Sequence, residues 1–227
     1  MHNNFNKLAA AIMIAAPFGI GAIAPMSAHA GANLVQNGDF ELGNTGFTSG
    51  YAYYPNGSSN DGSGHDFYQI GTDARNDNNR WVALGDHTTG SGNYMYVDGS
   101  TTANTPIWGQ SIGVETGKTY EISGYFSSLY NASDPTIKYT IGGSDATSAF
   151  DLNAPGTWQQ HSFLWTATSN TLNLALVDTN LNAGGNDFAI DDLSVKAVPE
   201  ASTVVLFSLM AIGGILILRK RGSNTIA

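Results

Sequence analysis

In TYEISGYF (residues 119–126) the apolar side chains of Tyr120, Ile122 and Phe126 sit at even spacing, with Thr119, Glu121 and Ser123 falling between. A repeat of two is that of a β-strand, whose successive side chains point to opposite faces. TIKYTI repeats the pattern, with Ile137, Tyr139 and Ile141 opposite Thr136, Lys138 and Thr140. In TLNLAL, Leu172, Leu174 and Leu176 share one face, and DFAIDDLSV reads as a strand with Phe188 and Ile190 on one side. The body of the chain carries no helical periodicity. Polar stretches of turn formers separate the runs: PNGSSNDGSGHD, GTDARNDNN, GDHTTGSGN and DTNLNAGGND. Short strands joined by such turns predict an all-β fold, an antiparallel β-sandwich of the jelly-roll kind.

The two ends break the pattern. Residues 1–30 read as a secretory signal peptide: Lys7 supplies a positive start, residues 8–24 are mostly apolar, and Ala28-His29-Ala30 puts small residues where a signal peptidase cuts. Cleavage is expected after Ala30. Pro17, Pro25 and the switch to polar sequence at Asn33 argue against a first membrane span. At the other end, Val198-Pro199-Glu200 precedes an apolar run over 204–218, broken by Ser208 and Gly213-Gly214 and closed by Arg219, Lys220 and Arg221. Counted from Ala201 the run reaches roughly 27 Å as a helix, just short of the ~30 Å hydrocarbon core. It predicts a single transmembrane helix over 202–218, with the basic triplet as a cytoplasmic stop and residues 31–200 outside.

Between the ends, residues 31–197 suffice for one well-buried domain and are short for two. Of the 18 acidic residues all but Glu200 fall there, whereas Lys7, Arg219, Lys220 and Arg221 among the 9 basic residues do not. So acidic a body excludes nucleic acid as a partner, since phosphates require clustered Lys and Arg. There is no cysteine, which removes disulfides, thiol catalysis, thiolate zinc sites and iron–sulfur clusters.

The segment VPEASTVVLFSLMAIGGILILRKRG resembles the PEP-CTERM sorting tail, also labelled an ice-binding-protein C-terminal domain. It departs from that motif in having Ala201 where a second proline is usual. The resemblance implies recognition by a membrane exosortase, transient anchoring in the inner membrane, cleavage near Val198-Pro199-Glu200, and delivery to the cell surface or extracellular matrix. A permanent single-span anchor is the rival expectation. The opening NLVQNGDFE (33–41) and closing FAIDDLSV (188–195) resemble the first and last strands of galactose-binding-like jelly rolls, the family of many carbohydrate-binding modules. GDHTTGSGNYMYVDGS (85–100) resembles a segment of MAM domains, also jelly rolls.

The galactose-binding-like resemblance implies a structural calcium ion held by Glu41 and by Asp191 or Asp192, with Asp39 nearby. Adjacent strand residues face opposite ways, so one of the pair should be the ligand, and Asp192 is favoured. DTNLNAGGND begins like an EF-hand loop but has Ala183 at the glycine position and Ala189 at the twelfth, so it is read as a turn. Aromatic rings beside polar loops suit stacking on sugars. Tyr51, Tyr53 and Tyr54 in YAYYPNG and Trp81 beside NDNNR are the candidates, with Trp108, Trp158 and Trp165 expected in the core. GQSIG matches a nucleophile-elbow pattern without the helix that motif needs, so Ser111 is expected to be an ordinary strand residue. His65, His87 and His161 lack metal-site spacing, and His87-Thr88 is given no functional role. The expectation is therefore an exported, non-catalytic protein binding polysaccharide. A structural matrix protein without a small-ligand site is the alternative, and a glycan-processing enzyme the least favoured reading.

Overall fold

The computed structural model describes residues 31–55, 64–130, 134–182 and 184–199. The predicted signal peptide with Ala28 and Ala30, and the tail from Glu200 through Arg219, Lys220 and Arg221, lie outside the described residues, as do both predicted terminal helices. In chain order the strands are β1 (Ala52–Tyr53), β2 (Phe67–Gly71), β3 (Tyr94–Asp98), β4 (Pro106–Gly113), β5 (Thr119–Ser128), β6 (Thr136–Ile141), β7 (Ser144–Asp145), β8 (Phe150–Asp151), β9 (Gln159–Thr166), β10 (Thr171–Asp178) and β11 (Asp187–Ala197). A six-stranded sheet runs β1-β2-β3-β11-β5-β9, and a second sheet runs β4-β10-β6-β7 with β8 also on β6. Among the described strands only β1 pairs in parallel, with β2. The expected antiparallel β-sandwich is the observed architecture.

Alternation decides which side chains meet between the sheets. Tyr120, Ile122 and Phe126 of β5 and Phe188, Ile190 and Val195 of β11 project inward against Ile137 and Tyr139 of β6 and Leu172, Leu174 and Leu176 of β10. Trp108 is fully buried with them. Each such side chain contributes about 1.5–3 kcal/mol by leaving water.

A second core was not foreseen. Phe67, Tyr94, Tyr96 and Ala189 line the outer face of the six-stranded sheet, where Ala74, Trp81 and Leu129 cover them. β2 and β3 are therefore buried on both faces. The covering segment is held by Asp73, which caps a 3-10 turn at Ala74–Asn76, and by the Tyr94 hydroxyl, which accepts from Ala74 N and donates to Leu84 O.

The first described residues run beside the last strand: Gly31 N donates to Ala197 O and Leu34 N to Val195 O. β11 is thus bounded by β3 and β5 along its length and by residues 31–34 near its end. Beyond it, Val198 N still bonds Thr119 O.

Candidate functional site

The aromatic candidates separate by burial. Tyr51 is 5% exposed and Trp81 3%, so neither can offer a ring face to a ligand. Tyr51 turns into the main core, where burial and the nearby Asp178 raise its hydroxyl pKa. Trp81 packs edge-on against Tyr96 in the second core. Both therefore have to be removed from the predicted platform. Tyr53 and Tyr54 are 39% and 40% exposed, yet as strand neighbours they face opposite ways. Tyr53 lies on Tyr68 and Tyr54 on Phe67, with ring centroids 5.3 and 5.2 Å apart. They grip the two sides of the β2 edge and do not form one plane. Trp158 and Trp165 are partly buried against the two cores, and the Trp158 Nε1–H bonds Gly85 O.

A broad concavity lies on the outer face of the second sheet. Its volume is about 960 Å³, and its floor is built from the outward residues of three adjacent strands: Gly109 and Ser111 of β4, Asn173 and Ala175 of β10, and Thr140 of β6. Register places Ser111 opposite Asn173, Gly109 opposite Ala175, and Ala175 opposite Thr140. Every floor side chain is small, so the groove is open because nothing on these strands is large enough to fill it. Gln36 and Gln110 form one wall, tied together by Gln36 N to Gln110 Oε1 and by the Gln110 amide to Gln36 O and Gly46 O. Asp145, paired with Lys138, stands at the opposite wall. Ser111 is an outward strand residue, as expected. Phe47 is the aromatic residue of its lining, which contains no tyrosine or tryptophan.

The carboxylates predicted to hold calcium are arranged differently from expectation. β11 shifts register between Asp191 and Ser194, and Asp192 adopts a left-handed backbone with φ of 49°. Simple alternation therefore fails at the one point where it was used to favour Asp192. Asp191 is the fully buried member. Its Oδ2 accepts from His87 N at 2.7 Å and its Oδ1 from Asp192 N at 2.8 Å, and burial pushes it up to about 7 against those bonds. Asp192 instead meets His87 Nδ1 at 2.6 Å and the Thr88 hydroxyl at 2.8 Å. Glu41 accepts from Asn93 N at 2.9 Å, and Asp39 receives only a long bond from Glu41 N.

Asp86 closes the same loop by accepting from Thr89 N and Gly92 N. Those bonds hold its carboxyl below the ordinary value although burial opposes them. A Cβ at Gly92 would overlap Glu41 Oε1 and lie 3.0 Å from Asp86 Oδ2, so a side chain there would have to push Glu41 aside. Backbone N–H, hydroxyl and imidazole groups meet one or both oxygens of each of these carboxylates, and among the described residues no group of three His, Asp or Glu side chains gathers as a metal site.

His87, set aside from the sequence, is central here. Its ring stacks on Tyr125 with centroids 3.5 Å apart and 17° between planes, and Trp158 meets it edge-on. Beside it a polar cleft of about 450 Å³ opens on the outer face of the six-stranded sheet, lined by Asn33, Asn37, Asp39, Ser123, Tyr125, Gln160, Asp192, Ser194 and Lys196 among others. The nearest sequence signal was GDHTTGSG together with the Asp191-Asp192 pair, which nothing in the linear pattern connects.

The EF-hand-like stretch is a turn, as read. Asp178 anchors it by accepting from Asn180 N, Ser100 N and Asn186 Nδ2. Burial pushes Asp178 up to about 6. Asp98 and Asp187 sit directly opposite each other on β3 and β11. Burial and that neighbour push Asp98 up to about 8, and burial raises Asp187 to about 6 against the Trp81 indole.

No family model and no curated protein matches the chain. Solved structures do. A tandem of two CBM22 domains from Paenibacillus barcinonensis Xyn10C matches at TM-score 0.50 and 18% identity over 77% of this chain and 49% of that one. Its single xylan-binding CBM22-1 domain matches at 0.49 and 18%, over 77% and 100%. A Stig cyclase, Fisc from Fischerella sp. TAU, matches at 0.52 and 11%, over 75% and 99%. The chain spans about half of the tandem. At these identities the likeness is one of fold, and the fold serves both a binding module and an enzyme.

Proposed function

We propose that this is an exported, non-catalytic protein that binds an extended polysaccharide in the groove across β4, β10 and β6, and that its C-terminal segment is a PEP-CTERM signal. The observation that carries the binding reading is the groove itself: an open channel across three strands, with a floor of Gly, Ser, Asn, Ala and Thr, an amide wall of Gln36 and Gln110, and the Asp145 carboxylate opposite. An open-sided channel admits a chain at any point along its length, and Asn, Gln and Ser supply both donors and acceptors to hydroxyl groups. With Phe47 the one aromatic among the lining residues, hydrogen bonds rather than ring stacking would supply most of the affinity. The fold's use in a xylan-binding domain supports the ligand class. Export rests on the signal-peptide pattern of residues 1–30, and sorting by an exosortase on residues 198–221.

Affinity electrophoresis of the purified protein through gels containing xylan, β-glucan or the host's own exopolysaccharide tests the binding. Retardation by at least one polysaccharide, abolished by Ala175→Trp and kept by Tyr53→Ala, is the expected result. Loss with Tyr53→Ala alone would move the site to the β1 edge, and free migration through every gel by folded protein would remove the binding reading. Intact mass of the exported form tests the sorting: a species retaining Arg219 onward would refute it.

A further inference from the structure

We infer that the cleft beside His87 is a second ligand site, taking a neutral, hydroxyl-rich group the size of one sugar residue; the ligand class rests on the reading above, the site does not. Its first support is an unmet polar atom. Ser194 is 8% exposed, its Oγ is buried without a hydrogen-bond partner, and it lines the cleft. Ser123, 9% exposed, stands directly across from it on β5. A buried hydroxyl left unpaired costs stability, and a ligand hydroxyl seated on the floor would satisfy it.

The second support is how His87 is held. Loop 85–93 is already fixed without the imidazole, by the four-way engagement of Asp86 with Thr89 and Gly92, by His87 N on Asp191, and by Trp158 on Gly85. Yet the ring is locked again, by Asp192 at Nδ1 and by Tyr125 across its face. The carboxylate accepts, so Nδ1 carries a proton, and Nε2 is the ring nitrogen left to meet a ligand hydroxyl. Nε2 makes no hydrogen bond to the described residues. Asp192 reaches His87 only through a left-handed backbone at a register shift, a conformation unfavourable for a residue with a side chain.

The lining selects the ligand. Asn37, Gln160 and the two serines offer mixed donors and acceptors, while the Asp39 and Asp192 carboxylates outnumber Lys196 and disfavour an anion. Beyond the Tyr125 ring, already stacked on His87, only Val35 and Leu193 among the lining residues are apolar, too little for an apolar guest. A volume of about 450 Å³ lies near the small end of ligand sites, and the site sits on the opposite sheet from the groove.

The test is NMR of the full protein with 15N-labelled histidine, titrated separately with free D-glucose, D-xylose and D-galactose. The expected result is a saturable shift of the His87 Nε2 resonance by at least one of them. That shift should persist in Ala175→Trp and weaken about tenfold or more in Ser194→Val and in Gln160→Ala. Gln160 is exposed on β9, so its variant keeps the test valid if Ser194→Val unfolds. No saturable shift with any of the three, or a shift that survives both variants, overturns the inference. Gel retardation with no His87 shift would leave the groove and refute the cleft. A His87 shift with no retardation would do the reverse.

Discussion

Asp98 and Asp187 face each other across β3 and β11, both nearly buried, and replacing Asp98 by Asn should raise stability in mild alkali. A carboxyl whose folded-state pKa lies above its unfolded value binds more protons when folded, so its contribution falls as pH rises through the folded pKa. With Asp98 at about 8 and an unfolded value of about 3.9, linkage gives a loss of about 2 kcal/mol between about pH 6.5 and about pH 9. Asp191, at about 7, adds somewhat less than about 1 kcal/mol over the same interval. Burial depresses His161, which acts in the opposite direction, but at about pH 6.5 its unfolded imidazole is already half titrated, so it offsets at most about 0.4 kcal/mol across the window. Asn copies the shape of a protonated Asp without its charge. Asp98→Asn should therefore remove about two thirds of the alkaline drop, worth roughly 4–8 °C in Tm at the upper pH for a domain of this size. Thermal unfolding followed by circular dichroism across the window is the assay. A wild-type Tm that rises from about pH 6.5 to about pH 9, or an Asp98→Asn protein less stable than wild type at the upper pH, would refute the reasoning.

Trp81→Ala should cost about 3–5 kcal/mol in chemical denaturation, because it empties the centre of the second core. A loss under about 1 kcal/mol would mean Trp81 is a surface ring after all. Gly92→Ala should destabilise by about 1–3 kcal/mol, since the new methyl displaces Glu41 from its bond to Asn93; an unchanged denaturation midpoint would contradict that placement. Chelation with EDTA should leave Tm where it was, because N–H and O–H donors neutralise Glu41, Asp86, Asp191 and Asp192. A drop of several degrees restored by calcium would show that an ion, not the peptide donors, holds that loop.

Strands with one wet face were legible and strands with two dry faces were not. β6 coincides with TIKYTI, and β5, β10 and β11 contain the other alternating runs. β2 and β3 bury every residue, so FYQIG and YMYVD carry no alternation to read, and the cover over them went unseen with Trp81 inside it. The tyrosine triplet failed for a related reason: proximity to Pro55 suggested a loop, whereas Tyr51 packs in the core and Tyr53 and Tyr54 diverge by strand geometry. The site at Asp191-Asp192 turned on one residue's φ, and backbone sign is not written in an Asp-Asp dipeptide. The groove was illegible for the opposite cause, since it is defined by side chains too small to attract notice.

The last strand is hydrogen-bonded along both edges, to β3 over four residue pairs and to β5 over eight, and the chain leaves the sandwich directly from its end. A pull on that exit, opposed by a load on the second sheet, would strain β11 along its own axis. Its cross-links then resist in shear, many at once. The same force applied between Gly31 and Ala197, which lie side by side, would peel contacts one after another. The fold is mechanically anisotropic, and its stiff direction points out along the C-terminal exit.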